Sequence, residues 1–410
     1  MLLRRRSRGS DPAISRSVSE RISDRLIRLP GSATLAMSAR ARELRAAGED
    51  VISFAAGEPD FPTPEHILAA ATRAAHDPAN HHYTANQGLA PLRQAIAENT
   101  SRYSGLPTDP EQVLVTNGAK QAILNVCAAL LDPGDEVLVP APYWVTYPAS
   151  ITLAGGNPIA VPTGAVTDFK VSVEDLERLR TPRTKAMILV SPSNPTGSVY
   201  DASELEAMAR WAVDTGVWVI ADEIYQRLAY GLEVSPSVAA GSPELEHLVL
   251  INGVAKSYAM TGWRVGWVVG PLDVIDAASR YQSHATGNVA NLSQQAALAA
   301  LTGPQDAVEE MREAFDRRRK LMYAGVSAIE GFRCHEPKGA FYVFPDVTDC
   351  LGESCPTSEA LAAAILEEAG VAVVAGESFG APGFVRFSYA LGEDDIVRGI
   401  ERVTNFIHAL

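Results

Sequence analysis

Cysteine is scarce in this chain of 410 residues. The four present, Cys127, Cys334, Cys350 and Cys355, fall at spacings that fit neither a CxxC redox pair nor a common zinc pattern, so they read as free thiols in a reducing compartment. Long hydrophobic runs are lacking too. No charge-free apolar stretch reaches the ~20 residues needed to span a bilayer. Positive charge is in deficit: 35 Lys and Arg stand against 49 Asp and Glu, a formal net charge of -14. Without a global positive field to offset phosphate repulsion, nucleic acid is excluded as the main partner, although local cations can still hold a small anion. The opening residues, MLLRRRSRGSDPAISRSVSERISDRLIR, contain no apolar signal core, and Asp11, Glu20 and Asp24 interrupt the basic run that a transit peptide requires. Residues 1–29 therefore read as a flexible arm on a cytoplasmic protein. Internal repeats and low-complexity segments are also missing.

What is present is an alternation of strand and helix. Ordered structure is expected from about Pro30, with a helix over GSATLAMSARARELRAAG that stops at Gly48, a short strand at residues 51–54, a Gly-Pro-rich loop, and a helix opening after Thr63-Pro64. Downstream, QVLVT, EVLVP, NPIAVP, AMILV, VWVIAD and LVLIN each predict a short buried strand, several separated by helical stretches. That pattern predicts an α/β fold with a mostly parallel central sheet flanked by helices. After Pro271 the chain turns mostly helical, and RRRK at 317–320 reads as a solvated helix face. The segments FYVFPDV, VAVVAG and GFVRFSYA with a last helix from Glu393 predict a compact α+β unit. The expected division is a large domain at 65–300 and a smaller one made of 30–64 plus 301–410.

In parallel α/β sheets, ligands bind beyond the carboxyl ends of the strands. Lys256 follows LVLIN, and alone it is either a lysine reaching solvent or one held in a site. Asp222 and Tyr225 follow VWVIA, Asn194 follows AMILV, Trp144 follows EVLVP, and Gly118, Ala119 and Lys120 open a helix after QVLVT. One edge thus collects an amine, a carboxylate, a carboxamide, a phenol, an indole and an anion-ready helix start. Pyridoxal 5'-phosphate (PLP) needs that set: a lysine for its aldehyde, a carboxylate for its ring nitrogen, and N–H groups plus a cation for its phosphate. The flat face of the ring suits an aromatic such as Trp144. His81 and His82 have no carboxylate or thiol spaced for a metal and read as surface residues.

The motifs SPSNPTG, ADEIY, NGVAKSYAMTGWRVGW and VRFSYA, in this order and at these separations, resemble class I/II aminotransferases of PLP fold type I. More narrowly, they resemble the bacterial aspartate aminotransferase subgroup that includes prephenate-using members. The likeness runs from about Pro30 to Leu410. It implies that Lys256 holds the cofactor covalently and then acts as general base. It further implies that Asp222 pairs with the ring nitrogen, Tyr225 and Asn194 bond the phenolic oxygen, and Trp144 stacks on the ring. Arg264, with the backbone of Gly118 and Ala119, would hold the phosphate. Arg386 would grip the substrate α-carboxylate with its planar fork, and Gly57 would let the backbone approach the same group. Tyr83 would reach the cofactor phosphate of a neighbouring subunit, which implies a homodimer with shared sites.

For the substrate, the resemblance puts Lys120 and Thr34 beside a distal carboxylate. The implied donors are aspartate or glutamate, with oxaloacetate or 2-oxoglutarate as acceptors. Lys120 could also be a plain helix-start cation. Asn86-Gln87 and Ala255 depart from the subgroup, the first leaving the substrate side open. A PLP lyase or a specialised biosynthetic aminotransferase is the same-fold alternative. A ligand-sensing regulator would need a DNA-binding domain, for which only the short arm is available.

Overall fold

The computed structural model describes residues 22–27, 29, 31, 33–241 and 246–410, so most of the expected N-terminal arm lies outside the described residues. Residues 1–31 form one unit, in which Asp24–Ile27 is helical, and residues 32–410 form another.

In chain order its strands are β1 (Ile52–Ser53), β2 (Val113–Thr116), β3 (Glu136–Ala141), β4 (Asn157–Pro162), β5 (Thr184–Val190), β6 (Trp218–Asp222), β7 (Leu248–Gly253), β8 (Gly266–Val269), β9 (Tyr342–Val343), β10 (Val371–Ala372), β11 (Val374–Ala375) and β12 (Val385–Ser388). Seven of them form the main sheet in the order β2-β8-β7-β6-β5-β3-β4. The pairings β3–β4, β3–β5, β5–β6 and β6–β7 are parallel, whereas β8 runs antiparallel to both neighbours. The α/β reading and the mostly parallel sheet hold. All four residues of both β2 and β8 are buried, because helices cover both faces and leave no room for alternation.

One strand departs from expectation. NPIAVP was expected to be a buried strand, but β4 is the sheet edge, with Asn157, Pro158, Ala160 and Pro162 exposed. Its two prolines are the signal, since a residue without an N–H is tolerated at an edge and not inside a ladder. Helix starts follow local chemistry. At Ala202–Thr215 the Asp201 side chain accepts from the Glu204 N–H in a capping box, and Gly216 ends the helix in the left-handed region.

The remaining strands make a three-stranded antiparallel sheet, β11-β12-β9, and a parallel pair of β1 with β10. The helix Asp306–Ser327 contributes Phe315 to a core with Phe54, Phe341, Phe387 and Tyr389, all fully buried. RRRK, carried by that helix, is not a solvated face. Arg317 and Lys320 are exposed, but Arg318 bonds Asp60 at 2.7 Å and lies over the Phe61 ring. Arg319 is 8% exposed and bonds Asp316, Glu336 and the Pro337 carbonyl. At ~3.6 residues per turn, four consecutive residues spread over about 300° of the helix circumference, so they cannot share a single face.

Candidate active site

The carboxyl ends of β2, β3, β5, β6 and β7 open on one cavity of about 880 Å³. Its lining includes Lys256, Asp222, Tyr225, Asn194, Trp144, Ala119, Lys120, Arg264, Arg386, Gly57 and Thr34. The strand-end rule accounts for most of them. Arg264 arrives differently: β8 runs antiparallel, with Gly266 opposite Gly253, so its amino end lies at the same edge and the residues just before it face the cavity.

Lys256 stands three residues beyond β7. Its Nζ donates to the Gly57 carbonyl at 2.5 Å and lies 5.9 Å from the Tyr225 ring centroid. Burial brings its pKa down to about 8, opposed by the charge of Glu58 and supported by Arg386 and Arg264. Behind it, Asp222 closes β6. That carboxylate accepts from the Tyr147 hydroxyl at 3.0 Å and from the Ile224 N–H at 3.1 Å. Burial pushes it up to about 6 in spite of those two donors. A cation placed against Asp222 would restore its charged form.

Arg386, on β12, is the most unusual charge in the molecule. It is 1% exposed, yet no carboxylate pairs with it among the described residues. Nη1 donates to Asn194 Oδ1 at 2.9 Å and Nη2 to the Ala55 carbonyl at 3.0 Å, while the buried Nε has no partner. The guanidinium lies 4.4 Å from the Tyr342 ring and 5.0 Å from the Phe379 ring. A buried, unpaired guanidinium is costly unless a ligand anion completes it.

At the other end, the helix Ala119–Leu130 points its amino terminus into the cavity. The Gly118 N–H is already committed to the Thr116 carbonyl at 2.8 Å, and Gln121 and Ala122 donate to the Gly118 carbonyl, leaving the N–H groups of Ala119 and Lys120 at the open helix start. Gly118 sits at φ 81, and a Cβ there would come within 2.7 Å of Arg264 Nη2. At Gly266 a Cβ would lie 2.5 Å from the Ala119 nitrogen. Both glycines keep open a cradle of helix-terminal N–H groups and one guanidinium, which is an anion site. Amine, carboxylate, indole and cradle together fit PLP. A Cβ at Gly57, which lines the cavity, would meet only Tyr342 Oη at an ordinary 3.5 Å. Crowding by the protein does not explain that glycine.

Lys120 Nζ lies 5.2 Å from the Trp144 ring, and burial with the nearby Arg264 lowers its pKa. Three expected positions lie outside the cavity lining: Gly118, which borders it behind Arg264, Tyr83 and Asn86. Tyr83 is 98% exposed. Asn86 turns aside, donating to the Ser279 carbonyl and hydroxyl at 2.8 and 2.9 Å. Sequence reasoning missed two residues. Tyr147 bonds Asp222, and Tyr342 bonds the Tyr225 hydroxyl at 2.9 Å, holding that phenol from behind. Tyr147 had a signal, three places after Trp144 where the helix Thr146–Leu153 begins. Tyr342, in FYVF, had none, because its partner is 117 positions away.

Residues 49–403 match the family model for aminotransferase class I and II. The chain is 54% identical to an aspartate aminotransferase of Streptomyces avermitilis, over 94% of this chain and 96% of that one. It is 44% identical to an aspartate/prephenate aminotransferase of Cereibacter sphaeroides, over 95% and 99%. A solved structure of aspartate aminotransferase from Thermus thermophilus with maleate superposes with a TM-score of 0.89 at 43% identity, covering 95% of this chain and 99% of that one. A cavity equipped for PLP and likeness over nearly the whole length agree: the chain belongs to the class I and II aminotransferases, PLP-dependent enzymes of fold type I.

Proposed function

We propose that the chain transfers the amino group of aspartate or glutamate to oxaloacetate or 2-oxoglutarate by a ping-pong route. The observation that carries this reading is Arg386, a buried guanidinium awaiting an anion in the same cavity as the Lys256 amine. Bound PLP supplies an aldehyde for amine capture and a ring that accepts electrons. The protein's side chains do the rest. Arg386, oriented by Asn194, binds the α-carboxylate through two parallel bonds. Lys256 Nζ would take the proton from the substrate Cα and deliver it two atoms away, across the amino nitrogen. With a pKa of about 8 it is neutral often enough near neutral pH to act as a base. Asp222, steadied by Tyr147, holds the proton on the ring nitrogen. Tyr225 and Asn194 would address the phenolic oxygen, Trp144 would cover the ring, and Arg264 with the Ala119 N–H would hold the phosphate, Gly118 serving by keeping the cradle open rather than by its own committed N–H.

On the substrate side, Lys120 and Thr34 receive the distal carboxylate. The relative solved with maleate, a four-carbon dicarboxylate, supports this assignment. A second reading has its own support. The cavity continues along the helix Ala33–Ala46 past Ser38 to Arg42, leaving room for a longer acidic acceptor, and several relatives carry aspartate/prephenate names. Tyr83, exposed and outside its own cavity, fits a homodimer in which it serves the partner's phosphate site. Residues 65–300 then act as the cofactor domain, and 30–64 with 301–410 as the smaller domain, of a cytoplasmic enzyme. Single-turnover mixing of the PLP-loaded protein with L-aspartate tests the main reading, with one equivalent of oxaloacetate expected per site. No oxaloacetate, with turnover of other donors, sinks it. Prephenate as added acceptor decides the second.

A further inference from the structure

The segment after Gly57 crosses directly over the loop that carries Lys256 and Arg264. Three contacts tie the two together. Gly57 receives the lysine Nζ. Glu58 Oε2 accepts from the Thr261 hydroxyl at 2.9 Å. Thr63 donates to the Ala259 carbonyl at 2.9 Å and accepts from Trp263 Nε1 at 3.0 Å. The middle contact is the one that reaches the chemistry. The Thr261 carbonyl in turn accepts from Arg264 Nη1 at 2.9 Å, and Arg264 is held at φ 56, in the left-handed region that a non-glycine residue occupies only when its surroundings enforce it. Glu58, Thr261, Arg264 and Lys256 all line the cavity.

We propose that Glu58 is a positioning residue with two separable actions. Its hydrogen bond to Thr261 fixes the loop that aims Arg264, and its negative charge, on the cavity wall shared with Lys256, sets how readily the Lys256 nitrogen carries a proton. This rests on the reading of Lys256 as the cofactor-linked amine. The groups facing Lys256 from each packed element are Glu58 from the crossing segment and Asp222 and Tyr225 from the end of β6. Arg386 comes from β12, Tyr342 from β9, Lys120 from the helix Ala119–Leu130, and Arg264 from the lysine's own loop. Asp222 is buried and would face the ring nitrogen, and Asp50 and Asp395, also on the lining, pair with Arg398 and Arg402, so Glu58 is the lining carboxylate left to balance Arg386, Arg264 and Lys120. Burial already favours the neutral amine, and Glu58 opposes it.

The test uses the PLP-loaded enzyme and the pH midpoint of its visible absorption band, which reports protonation of the Lys256 nitrogen. Glu58→Gln keeps the shape and an oxygen for Thr261 but removes the charge, and the midpoint is expected to fall by roughly half a unit, the scale for an opposite charge that water partly screens. Glu58→Asp is expected to restore most of it. Thr261→Val keeps the charge and cuts the tether, so the midpoint should stay while PLP dissociates several-fold faster, because Arg264 is less well aimed. A Glu58→Gln midpoint equal to wild type overturns the charge action, and wild-type PLP retention in Thr261→Val overturns the tether. A wild-type protein that forms no such band would instead overturn the reading of Lys256.

Discussion

Replacing Arg386 by lysine keeps the positive charge and removes the fork. The guanidinium now spends one arm on Asn194 and one on Ala55, a geometry that a single ammonium cannot reproduce. The expected loss is about 3 kcal/mol in kcat/KM for every amino acid tested, or ~10²-fold, shared by all donors because each has an α-carboxylate. Steady-state kinetics with aspartate and with an apolar donor check this. Equal losses support the assignment, and a loss confined to aspartate would move Arg386 to the side-chain end. Arg386 was legible at the outset only through its motif, since a lone Arg in a strand is usually at the surface. Tyr147 and Tyr342 were not legible, because what they do depends on partners far away in sequence.

Strand β6 and the helix Asp306–Ser327 show what an element adds. At the end of β6, Asp222 faces the cavity, while the following carboxylate, Glu223, is buried outside the cavity lining. There it accepts from Ser237 at 2.5 Å and Ser104 at 3.1 Å. Burial lifts Glu223 to about 7, above the usual carboxylate range. A raised carboxyl pKa means that its contribution to stability is complete below the unfolded value of ~4.3 and is lost as pH climbs through about 7. Glu223→Gln should therefore match wild type near pH 4.5 and exceed it near pH 8 by on the order of 2 kcal/mol, read as a higher Tm.

On the helix, Arg319→Ala takes the donor from Asp316 and the Pro337 carbonyl, while Glu336 stays solvated, and should cost about 2 kcal/mol in urea unfolding. Arg317→Ala, on the exposed side, should stay within ~0.5 kcal/mol. A charge run hides this distinction, because composition does not say which residues of a helical turn face inward. The edge position of β4 was readable from Pro158 and Pro162, and the hydrophobic count outweighed them.

For the whole molecule, strand-helix alternation was enough to anticipate a mostly parallel sheet with the chemistry at one edge, because side-chain period and strand length are local properties. Strand order is not local. Nothing in the residues 265–269 says that β8 runs against the others or slots between β7 and β2. That insertion brings Arg264 to the cavity, and it also sets the order in which the chain can be completed. β2 has no neighbour in the main sheet except β8, its partner roughly 150 residues later in synthesis. At ~5–20 residues per second, β2 emerges and waits on the order of ten seconds before the strand that closes its open side exists. A chain truncated at residue 260 should consequently fail to fold, bind an exposed-apolar-surface dye and aggregate, whereas a fragment ending after residue 302 should bury β2. Ribosome-bound nascent chains probed by limited proteolysis would show protection of residues 113–116 only after residue 269 has cleared the exit tunnel. The strand that completes the anion cradle is thus also the one for which the earliest strand of the sheet waits, so a cradle of this construction comes into being only on a chain whose sheet is already closed.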